Sequence, residues 1–161
     1  MATRSTIALE FADGSVGQVY CHWDGYLDYN GRLLAEHYTD PFKLRDLIDR
    51  GDLSSLGPEL GDKHDFDCPH KYGTPEYQAW ADAKSEVCTF YGRDRGEDDT
   101  GAQRFKDFAD YEKNHQYEEY GYVLRTDGNW YVSQYGRPYE LLGDAIANEL
   151  KEKAEEEEAL M

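Results

Sequence analysis

Hydrophobic and polar positions alternate over residues 4–11 and again over 16–23, as they do in strands buried on one face. Four turn-forming residues separate the two segments, and the sequence therefore predicts an antiparallel hairpin. A second hairpin is predicted from 119–125 and 130–135, which another four-residue turn joins. A further strand is expected at 85–91.

Apolar residues at helical spacing predict several short helices between these strands. The strongest signal follows Asp40, a capping residue, and Pro41, which favours the first helical turn; Gly51 is expected to end this helix. Other helices are expected after Asn30, after Thr74-Pro75, around Phe105, Phe108 and Ala109, and at the C-terminus, where Leu142, Ala145, Ile146 and Leu150 form an apolar face.

Segments rich in glycine, proline and aspartate at 52–73 and 92–101 are expected to be loops. Because strands come in hairpins with helices between the pairs, the pattern predicts an α+β fold. Its sheet is expected to be mostly antiparallel, with several short helices and a C-terminal amphipathic helix. The predicted organisation is a single domain over residues 1–154, followed by an acidic tail at 155–161.

Charge changes the functional picture more than any motif does. The 161 residues include 34 acidic and 17 basic ones, which gives a formal net charge of −17. Aromatic residues make up 14% of the chain, whereas disordered acidic chains contain few of them, and so a folded domain is expected. A surface this acidic repels nucleic acids and anionic membranes and attracts basic proteins.

Three widely spaced cysteines, Cys21, Cys68 and Cys88, do not suggest a disulfide framework and favour a reducing compartment. The first residues lack the apolar run of a secretion signal, and no stretch approaches the length of a membrane span. These observations predict a cytoplasmic protein.

Two acidic segments are the candidate partner-binding surface. One follows Tyr91, and the other, between 107 and 122, interleaves carboxylates with tyrosines, which are common anchors of protein interfaces. The predicted contact residues are Asp94, Glu97, Asp98, Asp99, Asp107, Asp110, Glu112, Glu118, Glu119 and Tyr120. The alternative interpretation of the first segment is a loop fixed by internal ion pairs with Arg93 and Arg95, and that of the second is an ordinary solvated sheet edge with buried tyrosine rings.

A second hypothesis is a small metal-dependent enzyme. His22 beside Asp24 has the composition of a general base with its orienting carboxylate. His64, Cys68 and His70 are potential metal ligands, although their spacing matches no established zinc motif. Arg93 could hold an anionic substrate, or it could neutralise the neighbouring acidic residues.

The chain resembles a group of small, uncharacterised proteins encoded by bacteriophages and prophages. The resemblance rests on Arg4–Ala8, Val19–Tyr26, Asp52–Gly57, Phe90–Glu97 and Tyr117–Tyr120 and covers most of the chain before the run of glutamates. It implies no catalytic residues. It implies a context in which small acidic proteins bind and disable a host enzyme or defence complex, some of them by imitating DNA.

Charge and resemblance together predict a non-enzymatic protein without cofactor or metal. Its expected partner is a host DNA- or RNA-binding protein or defence complex, such as a restriction, CRISPR or repair factor, whose basic groove it would occupy. An interaction module that binds through exposed aromatic rings is a third hypothesis, and binding at high salt would distinguish it. A homodimer would lengthen a mimicking surface, but nothing in the sequence requires one.

Overall fold

Both predicted hairpins form, and their first strands lie side by side at the centre of one eight-stranded sheet. The computed structural model describes residues 2–115 and 119–160. The strands are β1 (Ser5–Glu10), β2 (Val16–Cys21), β3 (Leu53–Ser55), β4 (Thr89–Phe90), β5 (Gln103–Phe105), β6 (Tyr120–Leu124), β7 (Trp130–Gln134) and β8 (Glu140–Leu141).

The sheet has the strand order β4-β3-β2-β1-β6-β7-β8, and β5 pairs with β2 on the same side as β3. Most pairings are antiparallel, but β1 runs parallel to β6, with Ser5 opposite Tyr120, and β2 runs parallel to β3. The predicted α+β class is therefore confirmed, and the sheet is a mixed one.

Six α-helices and one π-helical turn occupy much of the remaining described chain. They are the turn Leu27–Gly31, α1 (Arg32–His37), α2 (Pro41–Arg50), α3 (Pro75–Ser85), α4 (Tyr91–Arg95), α5 (Phe108–Asn114) and α6 (Leu142–Ala159). Helix α2 begins and ends where the sequence predicts, because the Asp40 side chain accepts a hydrogen bond from the Phe42 amide and Gly51 has a φ of 88°.

The two faces of the sheet are covered differently. On one face, a large apolar core packs β1, β2, β6 and β7 against α1, α2 and α6, through side chains such as Ile7, Leu47 and Leu142. On the opposite face, which we call the open face, α5 covers only a small cluster that includes Ala8, Val16, Phe105, Tyr111 and Val123. Among the described residues, α5 is the helix that contributes side chains to this cluster.

Four local predictions were wrong in part, and one of them is the expected loop 92–101, which begins inside α4. The expected loop 52–73 contains β3, the expected strand 85–91 is reduced to β4 between α3 and α4, and Phe105 ends β5 instead of lying in a helix. These strands are only two or three residues long, too short to show a period of two in the sequence. They form because neighbouring strands supply their hydrogen-bonding partners.

Helix α6 extends beyond the body of the protein. Residues 150–160 are all exposed, and the helix continues through the glutamates at 155–158 to Ala159. These glutamates, which the sequence analysis assigned to a tail, are thus helical in the structure. Over the described residues, none of the helices combines the length and the apolar character needed to cross a membrane.

A partly buried ion pair joins β1 to the turn after β6. Glu10, with a side chain only 9% exposed, accepts hydrogen bonds from Arg125 Nε and Nη2, both at 3.2 Å, and from the Thr126 amide at 3.0 Å. Burial alone would raise the pKa of Glu10, but these hydrogen bonds and the charge of Arg125 outweigh it, and the pKa lies below its ordinary value of 4.5.

We expect Glu10→Gln to destabilise the protein in a pH-dependent way. Because the folded-state pKa is lowered, the ionised Glu10 contributes stability above pH 4.5, and this contribution is lost as the pH falls through the folded-state pKa. The difference in unfolding free energy between wild type and variant should therefore be largest near neutral pH and shrink in acid. Urea unfolding across a pH series measures this difference in unfolding free energy. The control is Glu112→Gln, which changes an exposed carboxylate of α5. A difference that does not depend on pH would contradict the prediction.

Candidate functional site: a polar groove on the open face

A cavity of about 410 Å³ lies on the open face, beside the part that α5 covers. Its floor is made by Thr6 of β1 and by Gln18 and Tyr20 of β2. Its walls include Gln103 of β5, Asp52 at the start of β3 and Asp99 from the loop before β5. Arg4 lies at the end of the groove where β1 begins.

The alternation of side chains along β1 and β2 explains why the floor is polar. In each strand, every second residue faces the open side. Ala8 and Val16 take these positions beneath α5, whereas Thr6, Gln18 and Tyr20 take them outside it. The open face is therefore divided into a covered apolar half and an uncovered polar half.

Gln18 carries a polar atom that the protein does not satisfy. The residue is 4% exposed, and its Nε2 donates to Gln103 Oε1 at 3.0 Å, directly across the β2–β5 pair. Its Oε1 has no hydrogen-bond partner in the described part of the chain. A buried acceptor without a partner costs about 1–3 kcal/mol, and the cavity that Gln18 lines is the place from which a water or a ligand could supply the donor.

Asp52 places a partly buried carboxylate at the same groove. Its Oδ1 accepts a hydrogen bond from the Tyr20 amide at 2.9 Å, and its own amide donates to Thr100 O at 2.7 Å. Burial raises the pKa of Asp52, because desolvation outweighs the single hydrogen bond that favours the ionised form. The amide contact with Thr100 also holds the loop that carries Asp99 against the start of β3.

The positive charge of Arg4 at this groove is already paired with the carboxylate of Glu119. Glu119 Oε2 accepts from the Arg4 amide at 3.0 Å and lies 3.7 Å from Arg4 Nε. Asp99 is exposed and takes part in no ion pair among the described residues. The groove therefore has an excess of negative charge and of hydrogen-bond acceptors.

Asp94, one of the predicted contact residues, is structural. Its side chain is fully buried and accepts hydrogen bonds from the amides of Phe90 and His64 and from Arg93 Nε and Nη2. Arg93 in turn donates to three backbone carbonyls, including Cys88 O. A carboxylate held in this way cannot face a partner, and neither residue is available to an external anion or cation.

The other predicted contact residues fall into two groups. Glu97, Asp98 and Asp99 are exposed in the loop before β5, whereas Asp107, Asp110 and Glu112 belong to the start and body of α5, after β5. The exposed basic side chains of Arg104 and Lys106 lie between the groups in the chain. Asp107 caps α5, and Asp110 accepts from the Lys106 amide, so that both have local structural roles.

The described tyrosines of the acidic segment point into the protein. Tyr111 and Tyr122 are fully buried, and Tyr120, one of the predicted contact residues, is only 8% exposed. Glu118 lies outside the described residues, and Glu119 is paired with Arg4. Among the residues that the structure describes, the exposed aromatic rings are found elsewhere, at Trp23, Tyr26, Phe42, Tyr72 and Tyr135.

The potential metal ligands of the enzyme hypothesis do not converge on one site in the described residues, although His64 and Arg93 both contact Asp94. His22 Nδ1 is 2.6 Å from the Tyr20 hydroxyl, and no ion pair links it to Asp24 in the described chain. His64 Nε2 contacts Thr89 Oγ1 at 3.0 Å. In residues 2–115 and 119–160, no group of three or more histidine, cysteine or acidic side chains, including Cys68 and His70, could hold a metal ion.

Four residues of the groove are not among those that the sequence indicates: Thr6, Gln18, Asp52 and Gln103. One signal was present: a glutamine inside a strand whose neighbours are apolar is unusual on a face that becomes buried. Comparisons with protein-family models, with curated proteins and with solved structures find no match for this chain. The groove and its charge therefore carry the functional argument.

Proposed function

We propose that this protein is a non-enzymatic, acidic binding protein that occupies a basic, nucleic-acid-binding surface of a partner. The observation that supports the proposal best is the run Glu97, Asp98 and Asp99, three consecutive exposed carboxylates, the last of which lines the groove. Glu97 is held by Arg95 at 3.6 Å, and no ion pair of the described residues includes Asp98 or Asp99. Their charge is available to an external cation.

A surface of this kind suits a partner that normally binds phosphates. Grooves that bind nucleic acids are lined with lysine and arginine, and an acidic protein of net charge −17 is drawn to them over long distances. Contacts of this type are screened by salt, with a Debye length of about 8 Å at physiological ionic strength. The partner we propose is a host DNA- or RNA-binding protein or a defence complex, such as a restriction, CRISPR or repair factor, which is what a resemblance to phage proteins implies.

The two other hypotheses have less support. The metal-dependent enzyme needs the side chains of His22, His64, Cys68 and His70 to converge. Instead, the His22 ring contacts the hydroxyl of Tyr20, and the His64 ring contacts the hydroxyl of Thr89. The aromatic interaction module would have to use rings other than the buried Tyr111 and Tyr120. Trp23 and Tyr26, close in sequence and both exposed, are its best remaining candidates.

Charge reversal at the groove edge should abolish partner capture. We expect Asp98→Lys/Asp99→Lys to weaken binding at least about tenfold, because two attractive contacts become repulsive. The control, Asp46→Lys/Asp49→Lys, makes the same change in net charge on the exposed side of α2, which packs on the other face of the sheet. Immobilised wild type and variants are incubated with bacterial lysate, and retained proteins are eluted with duplex DNA or RNA.

Support requires a protein that nucleic acid displaces from the wild type and from the control, but that the groove variant does not retain. Equal retention by both variants would contradict the proposal, because it would make the location of the charge irrelevant. Retention that survives both high salt and competing nucleic acid would instead favour the aromatic interaction module.

A further inference from the structure

The groove on the open face contains acceptors that lack donors. Gln18 Oε1 is buried without a partner, and Asp52 has one carboxylate oxygen engaged with the Tyr20 amide. Asp99 adds a second carboxylate at the rim. Arg4, the cationic side chain among the described residues that line the groove, lies against Glu119. A ligand that matches these groups must supply hydrogen-bond donors and positive charge.

The positions of the acceptors favour a planar group with several donors. The Asp52 carboxylate accepts from the Tyr20 amide, and Tyr20 lies two residues along β2 from Gln18, so that the Cα atoms of these two residues are about 7 Å apart. A guanidinium group that makes a hydrogen bond of about 2.9 Å on either side reaches acceptors at about that spacing. It offers five N–H donors in one plane, whereas an ammonium group is a compact point charge.

We infer that this groove is a binding site for an arginine side chain. Its guanidinium donates to Asp52 and to Gln18 Oε1, and Asp99 lies at the rim beside the incoming chain. The inference rests on the proposed function only for the source of the arginine, which is the basic surface of the partner protein. Recognition of the guanidinium itself is a property of the groove.

Other ligand classes fit the same groups poorly. A phosphate or carboxylate would meet the charges of Asp52 and Asp99 with only Arg4, already shared with Glu119, to oppose them. A divalent cation needs several converging oxygen ligands, and the described residues form no group of three acidic, histidine or cysteine side chains. An apolar ligand would leave Gln18 Oε1 unsatisfied.

The test uses N-acetyl-arginine methylamide as the ligand and its citrulline analogue as the neutral isostere. Titration of the full chain, followed by the side-chain amide NMR signals of Gln18, should show saturable shifts with the arginine compound and at least tenfold weaker binding of citrulline. Asp52→Asn and Gln18→Leu should each reduce arginine binding at least about tenfold. Asp46→Asn, exposed on α2, is the matched control and should bind like wild type.

Asp52→Asn is suited to this test because an asparagine oxygen can still accept the hydrogen bond from the Tyr20 amide. If it unfolds, Asp99→Asn at the exposed rim serves in its place, and there a threefold or greater loss is expected. Equal binding of both ligands, unchanged binding by the groove variants, or preferential binding of inorganic phosphate would overturn the inference.

The two experiments distinguish failure of the arginine-site inference from failure of the proposed function. Arginine binding without nucleic-acid-sensitive partner capture would leave the groove assigned and remove the proposed function. Partner capture that depends on Asp98 and Asp99, without arginine binding, would overturn the assignment of the groove while the proposed function stands.

Discussion

Replacing Asp94 by alanine is expected to destabilise the protein by about 3–5 kcal/mol, the usual cost of removing one partner from a buried ion pair. The fully buried carboxylate bonds to the amides of Phe90 and His64 and to Arg93. Its removal leaves these donors, one of them charged, without an acceptor. In a chain of this length the melting temperature should fall by on the order of 10 °C.

The matched control for this prediction is Glu97→Ala. Glu97 lies three residues after Asp94 in the chain, and its exposed carboxylate forms an ion pair with the exposed Arg95. It should change stability by less than about 1 kcal/mol. Thermal and urea unfolding compare the two variants. A loss below about 1 kcal/mol for Asp94→Ala would show that the buried network is dispensable, contrary to what its hydrogen bonds imply.

Gly51→Ala is the second substitution with a large expected effect. Gly51 has φ 88° and ψ −158°, a conformation that is almost restricted to glycine. An added Cβ would lie 2.2 Å from Thr100 O, a backbone atom of the loop before β5. Strain and collision together should cost about 3 kcal/mol or more, since backbone strain of this kind alone costs about 1–3 kcal/mol.

Gly14→Ala separates these two contributions. Gly14 has a similar φ of 91°, but a Cβ there would meet no atom within 4 Å. Its cost should therefore be limited to conformational strain, about 1–2 kcal/mol. Unfolding experiments on both variants measure the difference, and equal losses would contradict the role assigned to the contact with Thr100. Gly51→Ala should also weaken arginine binding, because the displaced loop carries Asp99.

The sequence predicts well those elements whose formation depends on local signals. Two hairpins and the helix that begins at Pro41 follow from alternation, turn residues and capping by Asp40, all of which act within a few residues. Strand β3 was missed because its pairing with Cys21 of β2 comes from a distant part of the chain. Likewise, no local pattern indicates that β1 and β6 are parallel neighbours.

The candidate site was harder to predict for the same reason. The sequence indicates that acidic side chains are abundant, but it does not show which of them are exposed. Asp94 and Asp98 occur in one acidic run, yet the Asp94 side chain is buried and Asp98 is exposed. The groove joins Gln18 and Asp52, 34 positions apart in the chain, with Gln103, which only the sheet topology brings close. Charge could be estimated from composition, whereas the placement of unpaired acceptors required the fold.

The parallel pairing of β1 with β6 has a consequence for how the chain folds. Residues 5–9 find their partners at 120–124, so that the centre of the sheet closes a loop containing most of the polypeptide. Such non-local contacts slow folding, because the entropy of closing the loop is lost before the contacts form. During synthesis, the β1 edge of the β1–β2 hairpin stays unpaired until β6 has emerged from the ribosome. In that interval, the abundant negative charge makes neighbouring nascent chains repel one another.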